Sequence, residues 1–140
     1  MDLKRFDLIE HTADVGVVAY GADIKQAFAN VAYAMFSLLV DLNSVEELVK
    51  RKIEVQAEDM EVVLVTCLNE LLYVFEVERL LFRRFEVDDL SDGSITLRCW
   101  GEPIDTNRHG FMTGIKAATY HMFEISEING ITSIRVFFDA

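Results

Sequence analysis

Chain breakers are scarce in this sequence. One proline, Pro103, and seven glycines occur in 140 residues, which excludes linkers and low-complexity tracts. No internal repeat is visible. Positive charge is scarce as well: 13 Lys and Arg stand against 24 Asp and Glu, for a net charge of −11. A phosphate backbone attracts a positive surface, so direct broad nucleic-acid binding is excluded. An acidic domain suits cations or a basic protein partner instead. No apolar run is long enough to span a bilayer. The start, Met1-Asp2-Leu3-Lys4-Arg5, lacks the apolar stretch of a signal peptide. A soluble, cytoplasmic protein with no membrane partner is therefore expected. Only two cysteines occur, Cys67 and Cys99, and neither sits in a CxxC pair. Two buried free thiols are expected, not a disulfide or an activated thiolate. P-loop, GxGxxG, GxSxG and HExxH patterns are absent. No nucleotide cradle and no nucleophile–base pair is specified.

What is present reads as one globular domain over residues 1–140. The chain is 51% hydrophobic and 26% charged, enough for a real core. Strands are expected over Arg5 to Glu10 and Val15 to Tyr20. Asp23 caps a helix whose apolar face is Ile24, Ala27, Phe28, Val31, Met35, Leu38 and Leu39, ended by Asp41-Leu42-Asn43-Ser44. A strand follows over Lys52 to Ala57. Asp59 caps a second helix with a stripe from Met60 through Leu64, Leu68 and Leu72 to Phe75, read as core, with Asn69 and Glu70 off its centre. Leu81 to Asp88 is a strand whose apolar pattern is broken by Arg83 and Arg84. Ser91-Asp92-Gly93-Ser94 turns it into Ile95 to Gly101. Ile104 to Thr113 is irregular, with room for a short helix. Ala117 to Ile128 reads as one strand, and Asn129-Gly130 is a hairpin signal before Ile131 to Phe138. The sum is an α+β fold: a mainly antiparallel sheet with two main helices packed on it.

The polar knot in "DLIEHTADVGVVAY" (Asp7 to Tyr20) interrupts two strand-like segments with His11, Thr12 and Asp14. The chain closes on "IRVFFDA", which puts the Asp139 carboxylate beside the α-carboxylate of Ala140. Two adjacent carboxylates repel unless a cation joins them, and hard divalent ions take oxygen ligands. With Asp14 close, three oxygen-bearing groups would converge. Spacing alone favours the plainer reading, in which Asp14 caps a turn and Asp139 is solvated, since chain termini seldom build metal sites. His11, His109 and His121 form no metal-binding motif, which ranks zinc below calcium or magnesium. Lys116 in "GIKAATYH" is either a contact for a phosphate or an acidic partner, or an edge-strand lysine that blocks sheet pairing. Glu102 in "WGEPID" is either a further cation ligand or a turn residue. Lys50-Arg51-Lys52 reads as a solvated strand end.

Taken in order, "HTADVG" (His11 to Gly16), "EDMEVVLVTCLNELLYVFEVE" (Glu58 to Glu78), "GE" (Gly101-Glu102), "IKAATYH" (Ile115 to His121) and the terminal "DA" resemble the archease family over essentially the whole chain. The resemblance implies a cytoplasmic accessory protein in tRNA splicing, not itself an enzyme. Such proteins promote guanylylation and repeated turnover of the catalytic subunit of the GTP-dependent RNA-splicing ligase. It also implies a calcium-binding acidic site, Ca²⁺ with Mg²⁺ as the other candidate, at Asp14, Asp139 and Ala140. Lys116 is then a partner-binding surface residue. Two departures stand out. Gly114 replaces an acidic residue usual before the "IKA" motif, and Ala140 replaces a larger aliphatic. Two other functions fit parts of the pattern: a general adaptor or chaperone with a structural ion, and a metal-dependent phosphoester hydrolase using His11 or His121 as base.

Overall fold

The computed structural model describes residues 4–10 and 14–140. His11 and Thr12 lie outside the described residues. The elements run β1 (Phe6–Glu10), β2 (Asp14–Gly21), α1 (Ile24–Leu39), β3 (Val49–Gln56), α2 (Met60–Tyr73), β4 (Leu80–Ser91), β5 (Ser94–Pro103), β6 (Ala117–Ala118), β7 (Glu124–Ile128) and β8 (Ile131–Asp139). Every pairing among the described strands is antiparallel, and the fold is α+β.

Both helices start where the sequence places them. The Asp23 side chain accepts from the N–H of Gln26 at 2.8 Å, and the Asp59 side chain accepts from the N–H of Val62 at 3.0 Å. Each satisfies a donor that the first helical turn leaves unpaired. Eight residues of α1, from Ala27 to Leu39, are buried. A helix apolar on so much of its surface must lie between layers. It does: α1 contacts β2 and β8 on one side and β4 on the other, while α2 contacts β3, β5 and β6.

The strands form two sheets rather than one. The larger has the order β1-β2-β8-β6, with β7 also paired to β8, and the smaller has the order β3-β5-β4. Phe36 of α1 joins the layers, with ring contacts to Phe82 at 5.8 Å, Phe85 at 5.6 Å and Phe75 at 6.2 Å. Cys67 and Cys99 are free and buried. Burial pushes both thiols up, Cys99 to about 12, so neither is a thiolate at neutral pH.

Two expectations fail locally. Ala117 to Ile128 is not one strand: β6 ends after two residues, and a turn follows in which Met122 has φ 52°. That left-handed residue breaks the strand, and the alternation that suggested a continuous one persists only in β7. The Ile104–Thr113 stretch holds turns and no helix. The hairpin signal holds, since Asn129 and Gly130 both have positive φ, 54° and 78°, as a tight two-residue connection requires.

Candidate functional site

The larger sheet carries the candidate residues. On β8, Ile134, Val136 and Phe138 are fully buried and face the core. Alternation puts Arg135, Phe137 and Asp139 on the outer face. On β2, Val17 and Ala19 face the core, which sends Asp14, Gly16 and Tyr20 outward. The register then matters: Gly16 pairs with Phe137, and Asp14 pairs with Asp139. Directly opposite residues share a face, with Cβ atoms about 5 Å apart.

Gly16 is needed for this arrangement. A Cβ there would lie 2.7 Å from the Phe137 ring. Phe137 is 4% exposed although it sits on the outer face, and the His121 ring meets it edge-on at 5.7 Å. The two aspartates therefore stand beside an aromatic step. Asp139 also faces Ala117 of β6, and its backbone oxygen accepts from the N–H of Lys116 at 2.7 Å.

Lys116 and Ala140 both line a groove of about 310 Å³, together with Phe75, Phe111 and Met112. Three devices hold the loop that forms it. First, Glu102 is buried and takes hydrogen bonds from Arg108, from the backbone N–H of Glu46 at 2.6 Å and from His109 Nε2 at 3.2 Å. His109 Nδ1 accepts from the N–H of Asp105 at 2.9 Å, so the ring proton sits on Nε2 and points at Glu102. Burial pushes the Glu102 carboxyl up, but these donors outweigh it and hold the group down at about 2. Second, the N–H groups of Met112 and Thr113 bond the carbonyls of Leu39 and Leu38, and Phe111 bridges to Val40. Third, Asn69 of α2 grips β6 through both backbone groups of one residue, Ala118. Its Oδ1 accepts from the N–H of Ala118 at 2.8 Å, and its Nδ2 donates to the Ala118 carbonyl at 3.2 Å.

The structure thus brings Asp14 to Asp139 and Lys116 to Ala140. It places Glu102 inside an ion-paired cluster, so that carboxylate is a loop anchor and not a free cation ligand. His109 is part of the same anchor. Arg51 pairs with Glu78, Lys52 pairs with Glu54 at 2.8 Å, and Lys50 lies 5.9 Å from the Trp100 ring centre, which fits a solvated strand end. Asn69 and Arg108 escaped sequence reasoning. The signal for Asn69 was a polar residue beside an apolar helical stripe, which by itself does not separate a solvent-facing amide from a buried clamp. Among the described residues, no three His, Cys, Asp or Glu side chains converge as a metal-binding group. The aspartate pair needs a further donor, and Ala140 is next in the chain.

Residues 6–140 match the model of the Archease protein family. The chain is 38% identical over 129 residues to protein archease of Pyrococcus abyssi, covering 90% of this chain and 91% of that one. It is 37% identical over 140 residues to protein archease of Methanothermobacter thermautotrophicus, covering 98% and 99%. A solution structure of protein 1598 from Methanobacterium thermoautotrophicum superposes with a TM-score of 0.85 at 37% identity, covering 99% of this chain and 100% of that chain.

Proposed function

This chain belongs to the archease protein family, and from that premise we propose that it is an accessory protein for RNA ligation in the cytoplasm. It raises the guanylylation and turnover of the GTP-dependent tRNA-splicing ligase and performs no bond chemistry of its own. The observation that carries this reading is the Asp14–Asp139 pair on the outer face of the sheet.

The donor set fits a hard divalent ion. Like charges directly opposite on neighbouring strands destabilise a sheet, and a cation between them reverses the sign. Asp14 and Asp139 supply carboxylate oxygens, and Ala140 supplies a third oxygen. Ca²⁺ takes about six to eight oxygen ligands, so positions remain for water and for a partner's group. When bound, such an ion supplies positive charge that offsets phosphate charge in nucleotidyl transfer. The protein's own residues do the rest. Asp14 and Asp139 hold their carboxylates together on a rigid ladder. Phe137 and Gly16 fix the floor beside them. Lys116, fixed through its backbone to Asp139, presents a cation to the ligase. The groove beside Ala140 is lined by Phe111 and Met112, which are 47% and 67% exposed, and it offers the ligase an apolar contact.

The test is guanylylation of the ligase in the presence of Asp14→Ala or Asp139→Ala protein. Stimulation should be lost although both variants melt within a few degrees of the parent. Undiminished stimulation would remove the reading. A loss explained by unfolding would favour a general adaptor with a structural ion. Phosphoester turnover by the purified protein, lost in His121→Ala or His11→Ala, would favour the hydrolase.

A further inference from the structure

A second site lies away from the aspartate pair, where the start of β1 and the middle of α1 meet β4. A pocket of about 270 Å³ is lined there by Arg5, Asn30, Tyr33, Glu47, Arg83 and Arg84, among others. Three guanidinium groups face one carboxylate in a protein whose net charge is −11. Such a concentration of positive charge runs against the whole surface.

The cause is local backbone geometry. Arg83 and Arg84 are adjacent on β4, and plain alternation would send them to opposite faces. A β-bulge intervenes: Phe82 faces Gly101 and Arg84 faces Trp100, which leaves Arg83 as the extra residue. Bulges re-aim side chains, and both arginines are exposed and line the same pocket. The bulge requires a glycine opposite it. A Cβ on Gly101 would sit 1.7 Å from the Leu81 carbonyl oxygen.

Two of the guanidinium groups, those of Arg5 and Arg83, are held in place without being neutralised. Arg5 lies over the Tyr33 ring, 4.1 Å from its centre. Arg83 donates from Nη1 to the Val45 carbonyl at 3.1 Å, which leaves its other donors for a ligand. Neither Arg5 nor Arg83 has a carboxylate partner among the described residues, whereas Arg51, Arg98, Arg108 and Arg135 all do. Arg84 is braced against Trp100 at 4.2 Å and is already paired, with Glu86 at 2.9 Å and Glu47 at 3.6 Å, so Arg5 and Arg83 are the two guanidinium groups left for a ligand.

We propose that this pocket binds a phosphoryl group, carried either by a free nucleotide or by the end of an RNA strand. Fixed guanidinium forks suit phosphate oxygens better than a lysine point charge would. The volume admits a phosphate with part of its sugar, not a length of duplex. One anion pocket is compatible with an acidic protein that makes no broad contact with nucleic acid. Glu47 occupies the counter-ion position and holds phosphate affinity low. The site shares no lining residue with the groove beside Ala140, so it stands or falls apart from the ion-site reading.

The test is backbone amide NMR of the full chain at low ionic strength, titrated separately with inorganic phosphate, GMP and a short single-stranded RNA bearing a 5′-phosphate. All three should saturate one set of amides near Tyr33, Glu47 and Arg83 and should compete with one another. Arg83→Gln and Arg5→Gln should each weaken phosphate binding about tenfold. Glu47→Gln should tighten it, and Lys52→Gln, which makes the same charge change elsewhere as the arginine variants, should leave it unchanged. Tighter GMP than RNA assigns the phosphate to a nucleotide, and the reverse assigns it to a strand end. Lack of saturation, displacement by acetate as effective as by phosphate, or equal losses in Lys52→Gln and Arg83→Gln would overturn the proposal. Two arginine variants and a melt of each keep a folding defect distinguishable from lost binding.

Discussion

Asp14 and Asp139 stand directly opposite one another on neighbouring antiparallel strands. Two carboxylates carried on Cβ atoms about 5 Å apart repel. The fold accepts the repulsion because the flanking pairs, Val15 with Phe138 and Gly16 with Phe137, fix the register. A slip of one residue would turn Phe138 out of the core.

Removing one charge should therefore help the ion-free protein and harm the ion-bound one. Asp14→Asn in EDTA should gain about 0.5 kcal/mol, the scale of a cross-strand charge pair. In excess Ca²⁺ the parent should rise in Tm, because ligand binding stabilises the native state by mass action. Asp14→Asn should rise far less. Paired thermal melts with and without Ca²⁺ check this. An equal rise in both proteins would place the ion elsewhere.

Asn69 clamps the short strand that follows Lys116. Asn69→Leu removes both hydrogen bonds to Ala118 and leaves the N–H and the carbonyl of that residue unsatisfied at a partly buried position. The expected cost is about 2 kcal/mol. Amide hydrogen exchange at Ala118 should accelerate well beyond the change in global stability. Exchange that tracks global stability alone would show that β6 is held by its ladder to β8 and not by the helix.

Glu102 anchors the loop ahead of Lys116, and its carboxyl is held at about 2 against an ordinary value of 4.5. The folded-state value is the lower one, so the charged group stabilises the fold fully above pH 4.5. That contribution drains as pH falls from 4.5 toward 2. It is on the order of 3 kcal/mol. Glu102→Gln should destabilise the protein at pH 7 by a similar amount, since the charge opposite Arg108 is lost and one amide oxygen, with an NH₂ in place of the other, cannot serve the donors of Arg108, His109 and Glu46 together. The variant should also show a flatter loss of stability between pH 4.5 and 2. Denaturant midpoints across that range measure both effects.

Much of the fold was legible because the signals are local. Asp23 and Asp59 cap helices through contacts three residues away, and Asn129-Gly130 turns a hairpin through its own φ values. The failures had two origins, one local and one not. The strand expected over Ala117 to Ile128 breaks at Met122, whose positive φ no composition rule flags for methionine. Arg83 and Arg84 were visible as an interruption of β4, but a bulge is defined by two strands. Only pairing with Gly101 and Trp100 made it one.

By itself the sequence determined most of the elements, the helix caps and the apolar faces, because those depend on neighbours within a few residues. The resemblance it carries determined which residues to watch. Tertiary structure alone decided that Asp14 meets Asp139, that Asn69 reaches Ala118 and that Glu102 is an anchor instead of a ligand. Those relations join distant parts of the chain. Their register is set by how both strands and both helices fill one shared core, and that condition exists only in the assembled fold.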